Sequence, residues 1–173
     1  MSDKSAKKRL MYLSGDDFYL YCYSILIILN VLGCVDGKYF RDYRKLAFLT
    51  DIINNSKVVY IILHSSGRKL NPKDCECLLD SYSSGLMRRS EILKLLFALE
   101  KKGYVSLNKG KAQEIDVSLK KENLPDEFLD NSVFEMESKN ISDVSKKVRR
   151  LAALTLDTML GKIYVENGVR TWG

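Results

Sequence analysis

The chain has little of what turns demand: two prolines and ten glycines among 173 residues. A sandwich or barrel of many short strands needs more turn chemistry than that, so a mainly helical fold is predicted. Histidine is scarcer still, with His64 alone. No G-x-S-x-G motif and no P-loop accompanies it, and the carboxylates do not gather into a pair. A lone histidine in that setting reads as a structural or surface residue, so neither a catalytic site nor a cofactor is predicted. The four cysteines, Cys22, Cys34, Cys75 and Cys77, form no disulfide framework. Cys75 and Cys77 stand two apart on a predicted helix and diverge. They neither pair with each other nor offer zinc the convergent spacing it needs, even with His64. Reduced thiols point to the cytoplasm.

Charge is not extreme either. The net charge is +6, and half of the excess sits at the start, where Lys4, Lys7, Lys8 and Arg9 outweigh Asp3. That balance fits an anionic partner without the density of a DNA-coating protein. The polar opening MSDKSAKKRL carries no signal-peptide cleavage pattern. One long apolar run is present, at 18–35. Its length is barely the ~18 residues a membrane span requires. It also holds Ser24 and Asn30, and it abuts Asp16 and Asp17. A buried core helix is the expectation and a membrane span the alternative.

Apolar periodicity then lays out the chain. A helix is predicted over 16–32, stopped by Gly33. The turn CVDGK follows, and then a second helix over 38–53, with Tyr39, Phe40, Tyr43, Leu46, Ala47, Leu49 and Ile53 at helical spacing. The run VVYIIL at 58–63 is β-branched and by propensity a buried strand, with a helical turn as the alternative. Pro72 and Asp74 open a helix that Ser83, Ser84 and Gly85 break after Tyr82. Ser90 caps a helix over 91–102 whose core stripe is Ile92, Leu95, Leu96 and Leu99. Two strands, 104–107 and 114–119, flank the turn cluster NKGK at 108–111. A short helix over 126–136 precedes a long final one from Ser142 to Ile163, striped by Val144, Val148, Leu151, Ala152, Leu156, Met159 and Ile163. The predicted fold class is mainly α with a small β-hairpin. A basic arm (1–15) and an N-terminal helical part (16–70) precede a winged-helix core (71–120), and a C-terminal helical part (121–173) follows.

Base readout requires Arg, Lys, Asn or Gln near the start of the 91–102 helix. The outward residues are Glu91, Lys94, Ala98 and Lys101, with Phe97 off the core stripe. That face is too apolar for bases. Arg88, Arg89, Lys94, Lys109 and Lys111 would still contact phosphate, which needs only positive charge; a solvated basic rim is the plain alternative. The all-round apolar first helix and the long final stripe exceed what one small domain readily covers. Phe97, Val148, Leu151, Met159 and Trp172 are therefore candidate protein-interface residues, unless the two helices cover each other.

The opening apolar helix, the segment KYFRDYRKLAFLTDII and the run SEILKLLFALEKKGYVSL resemble the middle components of bacterial ABC three-component systems, such as the C subunit of Lamassu anti-phage defence. The resemblance covers residues 19–119 and rests on apolar patterns rather than catalytic residues. It implies a non-catalytic winged-helix subunit accompanying an SMC-like or Rad50-like ATPase and an effector, often a nuclease. Such subunits clamp ATPase heads or necks rather than read DNA, so any DNA contact is nonspecific and made through the complex. The residues themselves leave open a second reading, a free-standing winged-helix transcription regulator.

Overall fold

A computed structural model describes residues 17–65, 69–125 and 132–171 of the protein. The chain is mainly helical with one antiparallel hairpin. Helix α1, Asp17–Val31, lies at the centre. Ile25, Leu26, Ile28 and Leu29 are fully buried, and Tyr21 and Cys22 nearly so. An apolar surface all round a helix requires neighbours all round it. Here the chain supplies them itself: α2 (Arg44–Ile53), α5 (Arg89–Lys101), strand β2 (Ile115–Leu119) and α6 (Glu135–Lys147). The polar interruption is satisfied too: Ser24 Oγ donates to Leu20 O at 2.8 Å and accepts from Asn54 Nδ2 at 2.9 Å. No single helix among the described residues is long and apolar enough to cross a membrane. Helices α2 and α3 (Ser56–His64) would qualify only as one span, and they bend by 102° between them.

The predicted helix over 38–53 is only half realised. Residues 34–43 instead form an extended strap along the outer edge of β2. Phe40 exchanges both backbone hydrogen bonds with Val117, at 2.7 and 2.9 Å. Leu119 N donates to Cys34 O, Asp36 N to Leu119 O, and Tyr43 N to Ile115 O. Asp42 holds a left-handed φ of 65°, which no helix accommodates. Helix α2 therefore starts only at Arg44. Backbone groups claimed by a distant strand overrode local helical spacing.

The β-branched run at 58–63 is helical, within α3. Asn55 caps it, its side chain accepting from Val58 N at 3.3 Å. Val58, Val59, Ile61 and Ile62 are buried, so tertiary packing outweighs β propensity. Helix α4, Pro72–Met87, has Asn71 as N-cap and Pro72 in its first turn. It runs straight through Ser83–Gly85. Gly85 is there not to break the helix but to let Phe48 of α2 approach. Phe48, Tyr82 and Tyr164 form a fully buried aromatic cluster, with centroids 5.3–6.1 Å apart.

The long C-terminal helix is also corrected. Helix α6 ends at Lys147 and α7 spans Leu156–Ile163, capped by Thr155. Between them the chain turns, with Arg150 at φ 59°. The cause is Lys45, fully buried on α2. Its ammonium donates to Leu151 O at 2.7 Å and Ala152 O at 3.2 Å, and Ala152 O also accepts from Arg41 N at 2.9 Å. Carbonyls turned toward a buried cation cannot continue a helix ladder. The short helix expected over 126–136 falls largely outside the described residues; α6 begins at Glu135.

Candidate functional site

Helices α4 and α5 meet at a single residue, Arg88, and α5 begins two residues earlier than the expected 91. Ser90 makes no capping bond. Ile92, Leu95, Leu96 and Leu99 face inward, as predicted, while Glu91, Lys94, Phe97 and Lys101 are exposed. Gly103, at φ +83°, ends the helix and turns the chain into β1, Val105–Lys109. The hairpin pairs Val105 with Leu119, Leu107 with Val117 and Lys109 with Ile115. Side chains alternate across a strand, so these six share one face. From base to tip its burial declines: Val105, Leu119 and Val117 are buried, Leu107 and Ile115 half-buried, and Lys109 exposed. The turn itself is 110–114, closed by Gly110 N to Glu114 O at 2.9 Å, with Ala112 at φ 53°. The expected cluster 108–111 placed it too early.

The tip of the hairpin thus overhangs α5. Between them lies an open groove of about 340 Å³, lined by Phe97, Glu100, Leu107, Lys109, Gln113 and Ile115 among others. Phe97 is 50% exposed and lines the groove together with the half-buried Leu107 and Ile115. Glu100 Oε2 accepts from the backbone N–H of Leu107 at 3.1 Å. Glu114 accepts from both Nε and Nη2 of Arg41, at 3.1 and 3.3 Å. A second junction fixes the hairpin to the strap. Asp42 N donates to Asp116 Oδ1 at 3.0 Å, and the buried Asp42 carboxylate accepts from the Arg44 guanidinium at 2.7–3.1 Å. Nearby, burial pushes the Lys45 ammonium down to about 8, against the opposing pull of Asp42. Burial likewise pushes the Cys34 thiol up to about 11.

The sequence-predicted site residues separate into three groups. Phe97, Lys94, Lys109 and Lys111 are exposed at the groove and hairpin, and none of these lysines is in an ion pair among the described residues. Arg88 and Arg89, expected to contact phosphate, are half-buried and engaged by groups of α1 and α2. Arg88 pairs with Asp51 at 3.2 Å and lies 4.8 Å from the Tyr21 ring centroid. Arg89 lies 5.5 Å from the Phe48 centroid, with Nε and Nη2 shielded from solvent. Val148, Leu151 and Met159 are buried within the chain's own core, so they are not interface; they cover the other helices instead. Trp172 lies outside the described residues. Leu107 and Ile115 were missed, although strand alternation read from the correct turn would have found them.

His64 is exposed; its Nδ1 is 2.9 Å from Tyr60 O and its ring stacks on Tyr60 at 4.1 Å. All four cysteines are free thiols. Among the described residues, no group of three or more His, Cys, Asp and Glu is placed to hold a metal ion. No protein-family profile, curated protein or solved structure matches the chain, so the role of the α5–hairpin face rests on its own geometry.

Proposed function

We propose that the chain is a non-catalytic winged-helix adaptor subunit of an SMC-like or Rad50-like ATPase complex in anti-phage defence, bridging the ATPase and an effector nuclease. One observation carries the preference for docking over base reading. Where a DNA-reading helix would offer polar side chains, α5 offers a half-exposed phenylalanine beside an apolar groove. The order helix, helix, hairpin, with the strap bridged to β2 at Val35 and Phe40, supports the winged-helix assignment. The partner class comes from the resemblance of residues 19–119 to the middle components of three-component systems. Free thiols favour a reducing cytoplasm. The test is co-expression of the tagged chain with the proteins encoded beside it. A stoichiometric complex with a protein carrying Walker motifs and a long coiled coil is expected. A chain that stays monomeric beside every neighbour overturns the proposal.

A second reading has one observation in its favour: Lys109 and Lys111 stand exposed at the hairpin tip, with no ion pair among the described residues. A free-standing transcription regulator would bind duplex DNA selectively and with strong salt dependence. Lys109→Glu with Lys111→Glu should then abolish binding by the isolated chain.

A further inference from the structure

The groove between α5 and the hairpin has an apolar floor and Lys109 in its lining, with further lysines nearby on α5 and at the hairpin tip. Phe97, Leu107 and Ile115 form the floor. Lys94, Phe97 and Lys101 share one face of α5, being three and four residues apart. Lys109 and Lys111 come from the hairpin tip. All four lysines are exposed, and none is in an ion pair among the described residues. The two carboxylates that line the groove are both engaged: Glu100 with the Leu107 amide and Glu114 with Arg41. Glu91 is exposed one turn before Lys94, so against four free lysines the charge near the apolar floor is positive on balance.

Two details narrow the occupant. Leu107 faces Val117 in a pair whose backbone groups point away from each other, so its N–H lies on the open edge of β1. Glu100 caps that N–H, which guards the edge against an added strand. The occupant must engage through side chains. A phosphate backbone would satisfy the lysines but brings nothing apolar to cover Phe97, Leu107 and Ile115. We propose that the groove docks an acidic amphipathic segment of a partner protein. Its apolar side chains seat against Phe97, Leu107 and Ile115, and its carboxylates meet Lys94, Lys101, Lys109 and Lys111. This deepens the adaptor reading and rests on it for the existence of a protein partner.

The test displays random sixteen-residue peptides on phage and selects them on the full chain. Enriched peptides are then synthesised with fluorescein and titrated by anisotropy. Enriched peptides should be acidic, with apolar residues at helical spacing. Phe97→Ser should weaken them at least about tenfold, as loss of a central aromatic anchor does. Lys109→Glu with Lys111→Glu should weaken them by a similar factor and reduce the salt dependence. Lys57→Glu, exposed on α3, should leave them unchanged. Circular dichroism confirms that each variant is folded. Failure to enrich, enrichment of neutral or basic peptides, or indifference to Phe97→Ser overturns the proposal. So does a twenty-base-pair DNA duplex that binds in a Phe97-dependent way and displaces the peptides. The two readings fail separately. If the ATPase co-purifies with Phe97→Ser as well as with wild type, the adaptor stands and the groove falls. If acidic peptides dock but no ATPase co-purifies, the groove stands and the adaptor falls.

Discussion

Gly85→Ala reverses the usual sign of a helix substitution. Inside a helix, alanine normally stabilises over glycine by about 1 kcal/mol. Gly85 lies within α4 and has no left-handed backbone to favour glycine. A Cβ there would overlap Phe48 Cδ1 and come within 2.7 Å of Cε1 and 2.9 Å of Cγ. The ring cannot easily retreat. It is fully buried, with Tyr82 at 5.7 Å, Tyr164 at 6.1 Å and the Arg89 guanidinium at 5.5 Å. Overpacking a rigid core costs about 1–3 kcal/mol, and overlap with three ring atoms puts this case at the upper end. Subtracting the helix-propensity gain leaves a net loss of about 2 kcal/mol. That corresponds to a melting temperature about 4–8 °C lower for a chain of this size. Gly161→Ala on α7 is the control, since nothing lies within 4 Å of its Cβ position. It should be neutral or stabilise by up to ~1 kcal/mol. Urea and thermal melts in one buffer compare the two. Phe48→Leu in the Gly85→Ala background should recover part of the loss, giving a non-additive double-mutant cycle. Close packing of Gly85 against Phe48 is refuted if Gly85→Ala is as stable as wild type, or if both alanine variants shift the same way.

Three further outcomes follow from the junctions around the strap and α5. Asp42→Ala removes the carboxylate that holds Arg44 and leaves alanine in a left-handed backbone, so it should destabilise by about 3 kcal/mol in urea melts. Asp42→Asn should cost less, because asparagine keeps an acceptor and tolerates that conformation. Lys45 gives a pH signature: it releases its proton near pH 8 when folded and near 10.5 when unfolded. The unfolded chain binds more protons in that window, so stability rises as pH passes 8, with the buried Cys34 thiol opposing above about pH 9. Urea midpoints at pH 7, 8 and 9 should climb in wild type and lie flatter in Lys45→Met. Arg88→Ala should lose about 1 kcal/mol through its Asp51 and Tyr21 contacts, whereas Lys111→Ala should stay within ~0.5 kcal/mol of wild type in the same melts.

Much of the architecture is legible where its causes are local. Helix α1 announces itself by a long apolar run stopped at Gly33, and α5 by its Ile92–Leu99 stripe and the glycine after it. The misreadings share one cause, a partner far away in sequence. The spacing of Tyr39, Phe40 and Tyr43 looks helical, but the edge of β2 claims the backbone of Phe40 and Tyr43. The stripe from Val144 to Ile163 does mark buried residues, but Lys45, 106 residues from Leu151, bends the chain between them. At the candidate site, Phe97 stands out because it breaks the α5 stripe. Leu107 and Ile115 do not, because the hairpin turn lies two residues beyond the Asn–Gly signal, with Ala112 in the left-handed position. Arg88 and Arg89 look like surface charge because Asp51 and Phe48, which hold them, belong to another helix.

The central place of α1 also bears on how the chain is made. Its last neighbours, β2 and α6, leave the ribosome only after most of the chain has been synthesised. The ring of Tyr23 stacks at 5.0 Å on Phe134, more than a hundred positions downstream. This apolar helix is thus fully enclosed only late in synthesis. During synthesis it presents a hydrophobic surface to chaperones or to a co-translated partner, and early engagement of that kind would shape assembly before the native fold exists.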